Sequence, residues 1–141
     1  KVPGNDLGGA SVLALCDALQ GGLSGVEEVD LSDNAVDDEC ALAIGAVLCS
    51  PARQHALSTL TLASNSLSAA ALPLLRLPLA SLLVRLDLSD NDLGDEGAAA
   101  LVPALTAASS SLEWLNLSNT ALTAAGFTTL GDALKGGGGC V

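Results

Sequence analysis

The stretch VRLDLSDNDL, Val84 to Leu93, places Leu86 and Leu88 two residues apart and then turns through Ser89, Asp90 and Asn91 to Leu93. Alternating apolar residues describe a strand with one face buried, and the polar cluster after them describes the turn that ends it. Three other stretches repeat the pattern: VEEVDLSDNAV from Val26, LSTLTLASNSL from Leu57 and LEWLNLSNTAL from Leu112. All follow L-x-x-L-x-L-x-x-N-x-L. With the Asn slot numbered nine, the series runs Asn5, Asn34, Asn65, Asn91, Thr120, with spacings of 29, 31, 26 and 29. These residues define units 1 to 5.

Behind each motif the period changes. Apolar or small residues recur every fourth place in Leu93, Gly97, Leu101, Leu105 and in Leu122, Gly126, Leu130, Leu134. Val36, Cys40, Ile44, Leu48 and Leu7, Ser11, Leu15, Leu19 repeat the spacing, which is that of a helix face. The small second residue is expected to let each helix lie close to its neighbour. Every unit is therefore strand, turn, helix.

A period near 29 built this way resembles the leucine-rich repeats of the ribonuclease-inhibitor-like subtype, whose units carry a full convex helix. The resemblance covers residues 1–141 and implies an α/β fold: a curved solenoid of about five repeats, parallel strands on the concave face and helices on the convex face. It also implies binding of a partner protein rather than catalysis. Two alternatives stand beside that expectation: a GTPase activator of the Ran type, whose functional Arg and Asn find no counterpart here, and a structural spacer. The chain lacks the G-x-I-P step of the plant extracellular subtype, which disfavours secretion and makes a cytoplasmic location the expectation.

Composition agrees with stacking. Leu (30) and Ala (24) make up well over a third of the 141 residues, and the aromatics are only Trp114 and Phe127. A core of small aliphatic side chains needs regular layers, and a lone strand and helix cannot bury its apolar face without neighbours. Five Lys and Arg against sixteen Asp and Glu give a net charge of −11. That argues against nucleic acid, which requires cations to replace counterions, and against an anionic membrane surface. No run approaches the roughly 18 apolar residues of a membrane helix. The four cysteines, Cys16, Cys40, Cys49 and Cys140, match neither a metal knuckle nor a dense disulfide framework, so buried thiols are expected.

The irregular places are legible too. Thr120 replaces the ladder Asn and has no amide with which to satisfy backbone groups, so a looser or water-filled turn is expected. Unit 3 is short and contains Pro73 and Pro78, which predicts a short or irregular helix. Unit 2 carries its surplus in SPARQHA, from Ser50, a loop holding the sole histidine, His55. Neither end shows a polar cap, so the chain reads as cut from a longer array, with open ends that self-associate.

Strand side chains alternate, so positions three, five, seven and eight face the concave side. The candidate partner-binding residues follow: Glu28, Arg85 and Trp114 at position three, Asp30, Asp87 and Asn116 at position five, Asp33 and Asp90 at position eight. The acids suit a partner with a basic surface, or alternatively form a solvated face. Trp114 is a binding anchor, or stacks on Arg85 as a cation–π pair. Asp37, Asp38, Glu39, Asp95 and Glu96 fall at helix starts, where negative charge complements the dipole. Gly136 to Gly139 matches the GGLSG junction of unit 1 rather than a phosphate loop. Asn116-Leu117-Ser118 fits a glycosylation sequon by coincidence, and DLSDNDLGDEG from Asp87 misplaces the Gly and Glu of a calcium loop. No nucleophile accompanies His55, and neither a catalytic site, a metal nor a cofactor is expected.

Overall fold

The computed structural model describes residues 1–5, 7–20, 25–48, 57–75, 83–107 and 110–137. In chain order these form α1 (Gly9–Gln20), β1 (Glu28–Asp30), α2 (Asp38–Leu48), β2 (Thr59–Thr61), a 3-10 turn (Ala69–Ala71), β3 (Arg85–Asp87), α3 (Gly94–Leu105), β4 (Trp114–Asn116) and α4 (Ala124–Gly137). The strands make one parallel sheet in the order β1-β2-β3-β4. Its register aligns Glu28, Thr59, Arg85 and Trp114 in one row and Asp30, Thr61, Asp87 and Asn116 in another. Units of 31 and 26 residues thus enter the sheet in step, their length differences absorbed outside the strands. Unit 1 joins it through Val2 N–H to Asp30 C=O at 3.0 Å and Gly4 N–H to Ser32 C=O at 2.9 Å.

Burial follows the alternation. Leu60, Leu62, Leu86 and Leu88, at positions four and six of units 3 and 4, are buried on the helix side of the sheet beside Leu67, Leu72, Leu75 and Leu101. Each buried leucine contributes about 1.5–3 kcal/mol. Cys16 and Cys40 are buried in the same core. Unit 3 has the 3-10 turn and helical residues 72–75 where its neighbours have helices of 11 or 12 residues. Pro73 lies within those residues. Pro78, the SPARQHA segment with His55, Cys49, Cys140 and the last two glycines of Gly136 to Gly139 lie outside the described residues.

Two features differ from the sequence expectation. In α1 the core positions are Val12 and Cys16, whereas Ser11 is exposed and Leu15 only half-buried. The helix has two apolar stripes one residue apart, and the stripe holding Val12 is the one turned toward unit 2. In α4 Leu134 is exposed, as is Phe127 at 62%, although Phe127 occupies the slot that buries Val12, Ala41 and Ala98 against a following unit. No described unit follows α4, so the same register leaves these side chains uncovered.

Asn at position nine works as a peg between units. The Asn91 amide nitrogen sits 2.9, 3.1 and 3.0 Å from the carbonyls of Leu62, Leu88 and Ser89, while its oxygen accepts from Leu67 N–H at 3.0 Å. Asn34 and Asn65 repeat the arrangement. These backbone groups are freed where the strand turns off and need partners once buried. At Thr120 the turn is closed rather than loose. The residue is 1% exposed and its hydroxyl donates to Leu117 C=O at 2.7 Å. The next residue, Ala121, pays with a φ of 57°.

Candidate functional site

The concave surface is built by three rows that the sheet register brings together: position three, position five and the turn at position eight. The turn holds a feature that periodicity alone does not announce. Gly4, Asp33, Ser64, Asp90 and Asn119, the position-eight residues of all five units, have φ of 65°, 54°, 53°, 55° and 54°. Short polar residues and glycine tolerate this left-handed region best. The N–H groups of Gly4, Asp33, Ser64 and Asp90 donate to the position-seven carbonyl of the next unit, at 2.9–3.0 Å. The run of Gly, Asp, Ser, Asp and Asn is the signal by which it can be read from sequence.

Most of the concave acids are occupied within the molecule. Asp30 Oδ1 accepts from Ser32 N–H at 3.2 Å and Ser32 Oγ at 2.6 Å, and Asp87 Oδ1 accepts from Ser89 N–H at 3.0 Å and Oγ at 2.6 Å. Asn116 holds Ser118 in the same way, at 3.0 and 2.7 Å. This clasp between positions five and seven is spelled Asp-Leu-Ser or Asn-Leu-Ser in units 2, 4 and 5, and is missing in unit 3, where the residues are Thr61 and Ala63. Across the strands, Asn116 Nδ2 donates to Asp87 Oδ2 at 3.2 Å, and Asn119 Nδ2 to Asp90 Oδ1 at 2.9 Å.

Lys1 pairs with Glu28 at 2.6 Å, and that hydrogen bond, with the carboxylate's charge, raises the Lys1 ammonium above its ordinary value. For Asp30, burial pushes upward, but the Ser32 hydrogen bonds and the charge of Lys1 outweigh it, so its carboxyl sits below the ordinary range. Asp33 is exposed at the far side of the sheet from Trp114.

Trp114 and Arg85 are different. They stand side by side in the position-three row and are both exposed, Trp114 at 43%. Among the described residues the Arg85 guanidinium makes no ion pair or hydrogen bond, the Trp114 ring has no partner, and the expected alternative of a stacked cation–π pair is not formed. Asp87, two residues along the same strand, forms no ion pair with Arg85 and instead accepts from Ser89 and Asn116. Of the eight candidate residues, Glu28, Asp30, Asp87, Asp90 and Asn116 are tied into the scaffold, whereas among the described residues the side chains of Asp33, Arg85 and Trp114 have no such bond.

The acids at the helix starts have a further part. Asp38 accepts from Ser68 N–H and Oγ at 2.8 and 2.6 Å, and Asp95 from Thr123 N–H and Oγ1 at 2.8 and 2.6 Å and from Gly126 N–H at 3.0 Å. Each carboxylate bridges to the helix start of the next unit. The Thr123 hydrogen bonds hold the Asp95 carboxyl below its ordinary range. Among the described residues no His, Cys, Asp and Glu side chains gather as a metal site, and no helix is long and apolar enough to cross a membrane.

A family profile for the leucine-rich repeat matches residues 26–45 and 80–102, the strand and helix of unit 2 and those of unit 4. No curated protein matches the chain in sequence. Among solved structures, the fold is similar to that of leiomodin-1 actin-binding site 2, with a TM-score of 0.72 over 97% of this chain and 78% of that one, at 18% identity. The chain thus has a leucine-rich-repeat fold. Forty-four chains of known structure match it, and a scaffold so widely shared does not by itself select a function.

Proposed function

We propose that this leucine-rich-repeat solenoid is a non-enzymatic protein-interaction module that binds its partner through the concave face. The single observation that carries the reading is the free pair of Trp114 and Arg85 at the β3–β4 end of the position-three row. Trp and Arg dominate binding hot spots, and an exposed, unpaired example of each on adjacent strands is the kind of anchor a partner covers. Glu28, Asp30, Asp33, Asp87, Asp90 and Asn116 frame it. Their charge, within a net −11, steers partners with a basic surround and speeds encounter at low salt. The structural similarity to leiomodin-1 actin-binding site 2 supports the reading, since a similar scaffold there carries an actin-binding site. Unit length near 29 and helices of 11 to 14 residues favour the ribonuclease-inhibitor-like subtype.

The test is affinity capture from source lysate with three forms: the parent chain, Arg85→Ala with Trp114→Ala, and a convex control, Leu13→Ser with Leu42→Ser. Circular dichroism shows that each form is folded. The expected outcome is a partner held by the parent and by the convex control and lost by the concave variant. Identical capture by all three would mean that the concave face is inert, and the spacer reading would replace this one.

A further inference from the structure

Three of the five cations of this chain lie in the described residues: Lys1, Arg85 and Lys135. Lys1 is paired with Glu28 and Lys135 with Asp132, so among the described residues Arg85 is the cation without an acidic partner. In a chain of sixteen acids this is a matter of arrangement, not supply. Asp87, on the same strand, accepts from Ser89 and Asn116 and forms no ion pair with Arg85, and Asp90 Oδ1 accepts from Asn119. Asp33 follows β1, two strands away, roughly 10 Å in a sheet with 4.7–4.9 Å spacing. The guanidinium is thus left without an ion pair among the described residues while an indole stands beside it on the next strand.

We infer that the Arg85–Trp114 pair receives a carboxylate side chain of the partner, an Asp or Glu flanked by a bulky apolar residue. The inference rests on the concave-face reading above and names the chemistry at its centre. A guanidinium binds a carboxylate through two parallel hydrogen bonds, and the indole covers apolar area beside it. A phosphate offers the same fork, but it brings about −1.5 to −2 charge into a face that already carries Asp30, Asp33, Asp87 and Asp90. The singly charged carboxylate meets less repulsion. The net negative charge governs long-range approach, whereas the group left unpaired governs contact, so a partner with a basic surround still seats an acid here.

The test uses a random 12-residue peptide display library selected on the full chain, with the consensus peptide then synthesised and titrated. Trp114 is the sole tryptophan, so its fluorescence reports the site directly. Enrichment of Asp or Glu next to Phe, Leu, Ile or Trp is expected, with a blue shift of Trp114 emission on binding. Affinity is expected to fall at least tenfold in Arg85→Ala and for a peptide with its acid changed to the amide. Arg85→Glu is expected to select Lys or Arg at the same peptide place. If the enriched peptides are basic and depend on Asp30 and Asp87, the concave-face reading stands and the carboxylate inference fails. A phosphopeptide that binds tighter than the acidic consensus also overturns it. Absence of enrichment, or binding unchanged in folded Arg85 and Trp114 variants, overturns both.

Discussion

The junction between units 3 and 4 and the junction between units 4 and 5 solve the same stacking problem from opposite sides. On the strand side, units 3 and 4 are pegged by Asn91, whose buried amide engages four backbone groups. On the helix side the described residues form no acid–hydroxyl clamp: Ala69 and Gly94 stand where other units place an acid and a hydroxyl, and an open cleft of about 350 Å³ lies there, lined by Ser68, Ala70, Asp92 and Asp95 among others. Units 4 and 5 reverse this. Thr120 makes a single side-chain hydrogen bond, but Asp95 clamps Thr123 and Gly126 at the helix starts. A repeat interface therefore tolerates a defect on one face when the other is fastened.

The Thr120 junction also redistributes backbone strain. With no amide to meet the Leu93 N–H, the following residue takes over: Gly94 N–H donates to Thr120 C=O at 2.9 Å with a φ of 57°. A glycine adopts that conformation without the penalty of a Cβ.

Breaking the Asn91 peg is expected to have the largest effect. Asn91→Ala strands buried backbone groups, each costing about 1–3 kcal/mol, so a loss of about 2–4 kcal/mol is expected from urea denaturation. Thr120→Val, which removes one hydrogen bond, is expected to cost about 1 kcal/mol. Equal losses would refute the contrast between the junctions.

Gly94→Ala comes next, at about 1–2 kcal/mol for forcing a Cβ into the left-handed region. Repeating it in a Thr120→Asn background is expected to shrink the loss, because a restored amide takes the Leu93 N–H and releases residue 94. A double-mutant cycle with no coupling would show that Thr120 and Gly94 are independent irregularities.

The Asp95 clamp is sharpened by pH. Its folded carboxyl is held below the ordinary 3.8 by Thr123, so its contribution is fully present above that value and is lost as pH falls through the lower folded value. Stability measured from pH 5 downward is expected to decline less steeply in Asp95→Asn than in the parent. Parallel curves would remove the clamp from the account.

The smallest effect is expected at the proposed anchor. Trp114→Ala and Arg85→Ala are exposed changes and are expected to alter stability by less than about 0.5 kcal/mol. A loss above 1 kcal/mol in the thermal or urea midpoint would make the pair structural instead of reserved for a partner.

Much of the fold was legible because it is periodic. The recurrence of the Leu86 and Leu88 places as apolar residues in units 2, 3 and 5, and of the Asn91 place as Asn in units 1, 2 and 3, fixes which residues enter the core and which peg the turn, since each unit can bury its apolar face only against another of the same shape. Position three, and with it the adjacency of Arg85 and Trp114, follows from that register. The clasp of Asp87 by Ser89 is written in the repeated Asp-Leu-Ser but does not stand out there, because a polar residue on an exposed row is ordinarily solvated. The left-handed turn at position eight was hidden in the same way.

What the sequence determined by itself is the repeat, its strand-turn-helix content and the rows of side chains on each face, because these depend on spacing along one chain. Tertiary structure alone decided which stripe of α1 faces the core, that Thr120 is closed with Gly94 and Ala121 absorbing the distortion, and that Asp38 and Asp95 fasten neighbouring units. It also decided that Asp87 accepts from Asn116 of the next unit and that Arg85 stays without an ion pair among the described residues. Those outcomes depend on competition for hydrogen-bond partners between units some 29 residues apart, and a competition is settled only once all the competitors are in place.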